Sequence, residues 1–417
     1  MKISLIQPSR NNLKYLKWSY DSIRKNQGDH EVQICVASDA STDGTWEWCL
    51  EMMDKDPNFD AICNFSQTRM GHTILYDRLI DTVAKHDMCM IWHADMYLCP
   101  GALDSIEKLM YSKVITGDSL YDQPIEKRIV SLTRIEPPLH PPGPEKILFD
   151  CGIEPEEFHE ETLLSHLQLT SKDRLGKTTE GIFAPWAFWK KDFQEIGGHD
   201  SLFAPQSKED TDIFNRFHLN GCKFIQTWEG CVYHMTCRGS RFADGAKRNP
   251  DGQVFMKNRE TDEWLKQNEK STREFIRKWG HFCKHDEFMK PIVPSKYDIG
   301  IRIKNCNDSL LEVLEPWCNV IYTDADIDRY IRKESIKTSF KLKQRVKNID
   351  SQYTEGAHNI CVEIDGNKFY QTDMQLIQQI SEIISDSGSE GEFQLGNIKI
   401  IINDLSTYEK ELIVCKN

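Results

Sequence analysis

The sequence predicts an α/β fold, with a mostly parallel central sheet between helices and a smaller C-terminal α/β or α+β domain. Two observations carry this expectation. Strand-like and helix-like patterns alternate four times in about the first hundred residues, as in parallel strands joined by crossover helices. A second, shorter set of such patterns begins after Pro291 and Pro294. The chain has 417 residues, 39% hydrophobic and 28% charged, which suits two domains or one large domain with additions.

Residues 2–7, KISLIQ, read as a buried strand that runs into the loop PSRNN. LKYLKWSYDSIRKN follows, with Leu13, Leu16, Tyr20 and Ile23 at helical spacing. EVQICVASDAS is a strand that ends in a polar loop, and TDGTWEWCLEMM is a helix capped by Ser41 or Thr42. DAICNFS, HTILYDRLIDTVAKH and DMCMIWHAD read as strand, helix and strand. In such sheets ligands bind outside the carboxyl ends of the strands. Asp39 and Asp95 both lie just past a strand end. Residues 134–145, RIEPPLHPPGPE, hold five prolines and are expected to be neither helix nor central strand. The acidic stretch 150–161 reads as a surface excursion or as a loop over the site. Beyond residue 291, YDIGIRIKN, CNVIYTD, HNICVEIDG and GNIKIIIND read as strands, and SLLEVLEPW, DIDRYIRKESIKTSFKLKQRV and DMQLIQQISEII as helices. The expected division is a first domain over 1–285 and a second over 291–417.

The net charge of −13 argues against nucleic-acid binding by the whole surface, though a local basic patch is compatible with it. No apolar stretch reaches the roughly 18 residues of a membrane span, and MKISLIQPSRNN does not resemble a signal peptide. The 14 cysteines are scattered with no CxxC pair, so the expectation is a reduced, cytoplasmic protein without a zinc knuckle.

Four segments in one order carry a family resemblance. They are VASDASTDGTWE, HADMYLCPGAL, the long segment from GIFAPWAFWKK through GGHDSLF to KEDTDIFNRFHLNGCKF, and TREFIRKWG. Together they resemble family-2 glycosyltransferases of the GT-A fold over about residues 1–280, with a bacteriophage or viral member as one possible origin. In that family the first segment is usually D-x-S-x-D-G-T, the second a D-x-D followed by P-G-A-L, and the third holds G-G-x-D and E-D motifs. The resemblance implies a nucleotide-diphospho-sugar transferase fold and a metal-dependent, inverting transfer from a nucleotide sugar, UDP-sugar favoured, to an acceptor hydroxyl.

The chemistry accounts for the residue types. A sugar nucleotide leaves as a diphosphate, and a divalent metal neutralises its developing charge. Mn2+ or Mg2+ takes carboxylate, imidazole, phosphate and water ligands. Asp95 is the best candidate ligand. His93 stands where the family has Asp; it ligates the metal, contacts ribose or phosphate, or is a satisfied histidine at the sheet edge. His234, after an apolar strand, is implied as a third ligand. Asp39 resembles the family carboxylate that receives a base N–H or a ribose hydroxyl, and Asp43 reads as a helix cap. Pro8 and Arg10 are expected to wall the nucleotide. Asp77 occupies the position of a family Arg, and Arg78 is the candidate to replace it. Asp210 matches the base that deprotonates the acceptor in a single displacement; Glu209 and Asp212 are neighbours whose charge would raise its pKa. The same acids also suit a helix N-terminus. Gly197, Gly198 and Asp200 are expected to form a turn at the donor sugar. Trp186 and Trp189 read either as an acceptor floor or as core aromatics. Asp324-Ala325-Asp326 spells D-x-D but lies beyond the resemblance and reads as a helix cap.

Two basic stretches bear on the acceptor. Residues 238–259 contain Arg238, Arg241, Lys247, Arg248, Lys257 and Arg259, and residues 329–347 hold eight Lys and Arg against Glu334. The first is a candidate grip on the donor diphosphate. The second is a solvated helix face or a contact for a polyanion. The acceptor is accordingly a saccharide, a lipid-linked or protein acceptor, or a hydroxymethylated base in DNA of the kind some bacteriophage enzymes modify. The reading from another class is a degenerate GT-A fold that only binds sugar nucleotide or nucleic acid.

Overall fold

The structure, a computed structural model, describes residues 1–112, 127–236, 245–256, 260–351 and 356–415. Its first unit contains β1 (Lys2–Ser9), β2 (Glu31–Asp39), β3 (Phe59–Asn64), β4 (Met88–Ile91), β5 (Met96–Leu98), β6 (Arg128–Glu136), β7 (Lys146–Leu148), β8 (Thr178–Thr179), β9 (Trp186–Trp189) and β10 (Lys223–His234). The sheet order is β3-β2-β1-β4-β9-β6-β10-β5, with β7 beside β6 and β8 beside β10. Strands β1 to β4 are mutually parallel, as are β6 and β10, while β9 and β5 run antiparallel to their neighbours. The fold is therefore the expected α/β arrangement, a mostly parallel sheet between helices. Continuously buried runs such as residues 3–7 of β1 and Met88–Ile91 of β4 fit a sheet covered on both faces.

Helices α1 (Leu13–Asn26), α2 (Thr45–Lys55), α3 (His72–Thr82), α4 (Ala102–Tyr111), α5 (Glu160–Leu169), α6 (Ser171–Arg174), α7 (Lys190–Glu195), α8 (Glu209–Leu219) and α9 (Asp262–Trp279) surround this sheet. Asp43 ties two of them together. Its carboxylate accepts from the backbone N–H of Leu13 at 2.9 Å and of Thr45 at 3.2 Å, so it satisfies the first turns of both α1 and α2. The cap of α2 is therefore Gly44 with Asp43 behind it, not Ser41 or Thr42. Helix α9 starts on the Thr261 cap and stops at Gly280, whose φ of 80° closes the last turn.

The proline-rich segment departs from its expectation. Residues 134–136 complete β6, a central strand; the prolines begin only at 137, so the ladder keeps its donors to that point. The acidic stretch 150–161 lies against α1 on the surface. Glu154 accepts from Lys14 and from the Tyr15 hydroxyl, and Glu160 accepts from Lys25 and from the Tyr97 hydroxyl.

A small hairpin of β11 (Lys247–Arg248) and β12 (Val254–Phe255) precedes α9. Beyond α9, β13 (Ile299–Lys304), β14 (Val320–Thr323), β15 (Val346–Asn348), β16 (Ile360–Asp365), β17 (Gly391–Leu395) and β18 (Ile398–Ile402) form a second sheet of order β15-β14-β13-β16-β18-β17. It carries α10 (Asp308–Leu314), α11 (Ile327–Glu334), α12 (Leu342–Arg345), α13 (Gln371–Gln378) and α14 (Ile380–Ser387). The long basic helix expected over 326–346 is two short helices joined by a turn. Asp326 caps α11 through the Arg329 N–H, and Asp324 accepts from the N–H groups of Asn305 and Cys306, so the literal D-x-D is structural.

The boundary expected at 285–291 crosses a shared packing surface. Ile276 of α9 belongs to the second core, while Leu412 and Ile413 near the chain end pack back on the first unit. Arg277 of α9 reaches Glu274, Glu315 and Glu334 in one buried ion cluster.

Candidate active site

The carboxyl ends of β1, β2, β4, β6 and β10 border a cavity of about 900 Å3, closed on its far side by the loop before α8, the N-terminal half of α9 and residues 283–291. Strand pairing assembles its centre. Strand β10 runs antiparallel to β5, with His234 opposite Met96, and the Met235 N–H donates to the Asp95 carbonyl at 3.0 Å. The turn from His93 to Met96 closes through the Met96 N–H and the His93 carbonyl. His93, Asp95 and His234 thus meet, with ligand atoms all within 4.8 Å of one another. His234 Nε2 lies 3.5 Å from Asp95 Oδ1, and its Nδ1 lies 2.8 Å from Glu136 Oε1.

Burial disfavours charge on both rings, with different outcomes. At His93 burial dominates, aided by the nearby His234, and the pKa falls to about 4. At His234 the same burial is outweighed by Asp95 and Glu136, and the pKa rises to about 9. Glu136 is lowered: burial opposes its charge, but Arg134, His234 and Lys146 outweigh it. Two imidazoles and a carboxylate facing one point could hold a divalent cation, and the imidazoles suit a transition metal such as Mn2+ better than the oxygen-seeking Mg2+.

The acid pair lies on the far wall. Ser207 and Lys208 both have left-handed backbone, with φ of 82° and 72°, where the chain turns into α8. That turn points Glu209 and Asp210 into the cavity. His72, at the start of α3, holds Glu209 through Nε2 and Oε1 at 2.5 Å. Burial would protonate Glu209, but His72 keeps its pKa below the usual value. Asp210 is pushed up to about 6, first by burial and then by the charge of Glu209. Asp212 plays no part in this. It points away and binds Arg216, Lys278 and the Trp279 indole. Tyr76 lines the cavity between the two centres, and Asp210, Glu209 and Asp95 all raise its pKa, after burial.

Pro8, Arg10 and Asp39 line the cavity as expected by position. Ser9 Oγ and Arg10 Nε are buried there with no hydrogen-bond partner among the described residues, the kind of polar atom a ligand satisfies. Asp39 differs from its expectation. Its two oxygens accept from the N–H groups of Met70 and Gly71 at 2.9 Å each, and Oδ1 also accepts from Asn64 at 2.8 Å. It braces the loop into α3, and Arg69 on that loop lines the cavity.

Other expected site residues sit elsewhere. Arg78 is exposed on α3 outside the cavity lining, with its guanidinium toward Met70 Sδ. Gly198 packs behind α3, where a Cβ would stand 2.5 Å from Asp77 Oδ2, and Asp77 accepts from the His199 N–H at 3.0 Å. Asp200 binds Lys278. Trp186 is 0% exposed among Phe188, Phe214 and Phe217, and Trp189 pairs with Met88 at the other end of β4. Both are sheet aromatics and not an acceptor floor. The aromatics on the cavity are Tyr76, Phe183, Phe214 and Trp264. Of the first basic stretch, Arg248 binds Asp150 and Glu157; Arg238, Arg241, Lys257 and Arg259 lie outside the described residues. Sequence reasoning missed His72, Arg69, Arg134, Glu136 and Lys146. Glu136 left one trace: a charged residue that ends an apolar strand just before two prolines.

Residues 4–150 match the model of glycosyl transferase family 2. No curated protein matches the sequence. Among solved structures, the chain is similar to S. aureus TarS 1-349 in complex with UDP, at 12% identity over 56% of this chain and 60% of that one, TM-score 0.38. It is also similar to the mannosyltransferase PcManGT from Pyrobaculum calidifontis in complex with GDP-Man and Mn2+, at 13% identity over 66% and 63%, TM-score 0.37. It spans less than two thirds of either chain. The match to the glycosyl transferase family 2 model is thus confined to residues 4–150, the part of the first unit that holds β1 to β7.

Proposed function

We propose that the chain transfers a sugar from a nucleotide-sugar donor to an acceptor hydroxyl by a single, inverting displacement. One observation carries the reading: the His93–Asp95–His234 cluster and Asp210 line the same cavity. Pro8, Arg10, Asp39 and Arg69 border the nucleotide end. His93, Asp95 and His234 would hold Mn2+ or Mg2+, which supplies positive charge opposite the diphosphate leaving group. Asp210 takes the acceptor proton as its oxygen attacks the anomeric carbon. Glu209 and His72 hold the start of α8 in place. With a carboxyl near 6, Asp210 is mostly ionised at neutral pH yet more basic than an ordinary aspartate, which suits a general base.

A UDP-sugar is the first donor to test. Among acceptors, a saccharide is favoured over a hydroxymethylated base in DNA. Within the second basic stretch, Arg329 binds Asp308, Lys333 binds Glu312 and Arg345 binds Glu315, which leaves a weaker field for phosphates. Residues 291–417 act in recognition or support and not in bond making. The non-catalytic binding reading is disfavoured by a raised Asp210 and a paired Glu209 on the cavity wall, which binding alone does not require. Incubation with UDP-, GDP- and dTDP-sugars in Mn2+ or Mg2+ tests the proposal. Release of nucleoside diphosphate from one donor is expected; none from any donor, with nucleotide still bound, would favour the binding module.

A further inference from the structure

Glu136 stands behind His234. It ends β6, one residue beyond Ile135, which pairs with Tyr233 of β10, so sheet register alone brings its carboxylate beside the His234 ring. Oε1 lies 2.8 Å from His234 Nδ1 and 2.9 Å from an Arg134 terminal nitrogen. Lys146 on β7 stands 3.7 Å from Oε2. Arg134 is itself fixed, its guanidinium 3.9 Å from the centre of the Phe183 ring. Glu136 is 1% exposed, and a carboxylate flanked by two cations is ionised. An ionised carboxylate only accepts, so Nδ1 must carry the hydrogen it shares with Glu136. With Nδ1 engaged by Glu136, Nε2 is the ring nitrogen left for a ligand, and it faces Asp95.

We propose that Glu136 is a positioning residue that fixes the tautomer and angle of the His234 ring, so that Nε2 is presented with Asp95 and His93 to a divalent cation. The Arg134–Lys146 pair fixes Glu136 in turn. This inference rests on the metal-dependent reading above. Such partners of a ligating histidine typically change metal affinity by about 10–100-fold.

The test is Mn2+ affinity of the protein–UDP complex, measured by the electron paramagnetic resonance of free Mn2+. Glu136→Ala should weaken Mn2+ by about 10–100-fold. Glu136→Gln keeps an acceptor for Nδ1–H and should stay within a few-fold of the wild type. A packing role would be rescued equally by Glu136→Met, which offers the Nδ1–H no carbonyl or carboxylate acceptor. Coupling is the second readout: Glu136→Ala added to His234→Ala should lose no more than His234→Ala alone. If the alanine variant does not fold, Glu136→Met keeps the volume and takes its place. Unchanged Mn2+ affinity in the Ala or Met variant, or additive losses in the double variant, would overturn the role of Glu136 while leaving the metal reading intact. A wild-type complex that takes up no Mn2+ would overturn both.

Discussion

Asp210 must be ionised to accept a proton, and its raised carboxyl sets where that fails. Activity should fall as pH drops below about 6, because the protonated acid cannot act as a base. Glu209→Gln removes the second cause of the shift and should move the acid limb of kcat to lower pH; an unmoved limb would exclude Glu209 as its source. Asp210→Asn should lower kcat by about 10²–10⁴-fold with UDP affinity retained, and normal turnover would make Asp210 structural. Asp95 and Asp210 were legible in the sequence because strand ends and helix starts are local signals. Asp39 was legible in place but not in use: its partners at Met70 and Gly71 depend on how the following loop folds. Arg78 and Gly198 followed a family pattern that this chain answers with Asp77, whose carboxylate holds the His199 turn.

At the scale of elements, the loop into α8 depends on a close backbone approach. Gly71 has φ of 87°, and a Cβ there would stand 2.1 Å from the Pro205 carbonyl oxygen. Gly71→Ala therefore strains its own backbone by about 1–3 kcal/mol and displaces the segment that leads through Lys208 to Asp210. A lower Tm together with a lower kcat is the expected outcome, checked by thermal melting and steady-state rates; an alanine variant equal to the wild type in both would contradict it. The strands and helices of the first hundred residues were readable because their periodicities are clean. The end of β6 was not, since five prolines in one window hid three strand residues that precede them. The basic run 326–346 read as one helix because it lacks Gly and Pro; tertiary ion pairs fix its break, with Glu334 turned inward to Arg277 and Arg345 to Glu315.

Across the whole molecule, α9 joins the two sheets. Trp264 and Asn268 face the cavity from its first half, and the Asn268 side chain accepts from the Ser207 hydroxyl. Its last turns enter the second core with Ile276 and Arg277. Arg277→Ala leaves Glu274, Glu315 and Glu334 buried without that cation and should cost about 3–5 kcal/mol in urea unfolding. Lys296 sits in the same seam, its pKa lowered to about 7 by burial and then by Arg345. Its folded value lies below its unfolded one, so the cost of burying the charge is present below about pH 7 and relieved as pH rises toward about 10. Lys296→Met should therefore stabilise the fold at about pH 7, with a gain that shrinks by about pH 10; a gain independent of pH would contradict the assignment. None of this seam was legible in the sequence, because its partners lie far apart along the chain and obey no period.

The most direct test of the central claim is UDP binding by calorimetry with and without Mn2+, for the wild type and Asp95→Ala. The account predicts that the wild type binds UDP in Mn2+, that EDTA largely removes this binding, and that Asp95→Ala behaves in Mn2+ as the wild type does in EDTA. UDP affinity unaffected by EDTA and by the loss of Asp95 would contradict it.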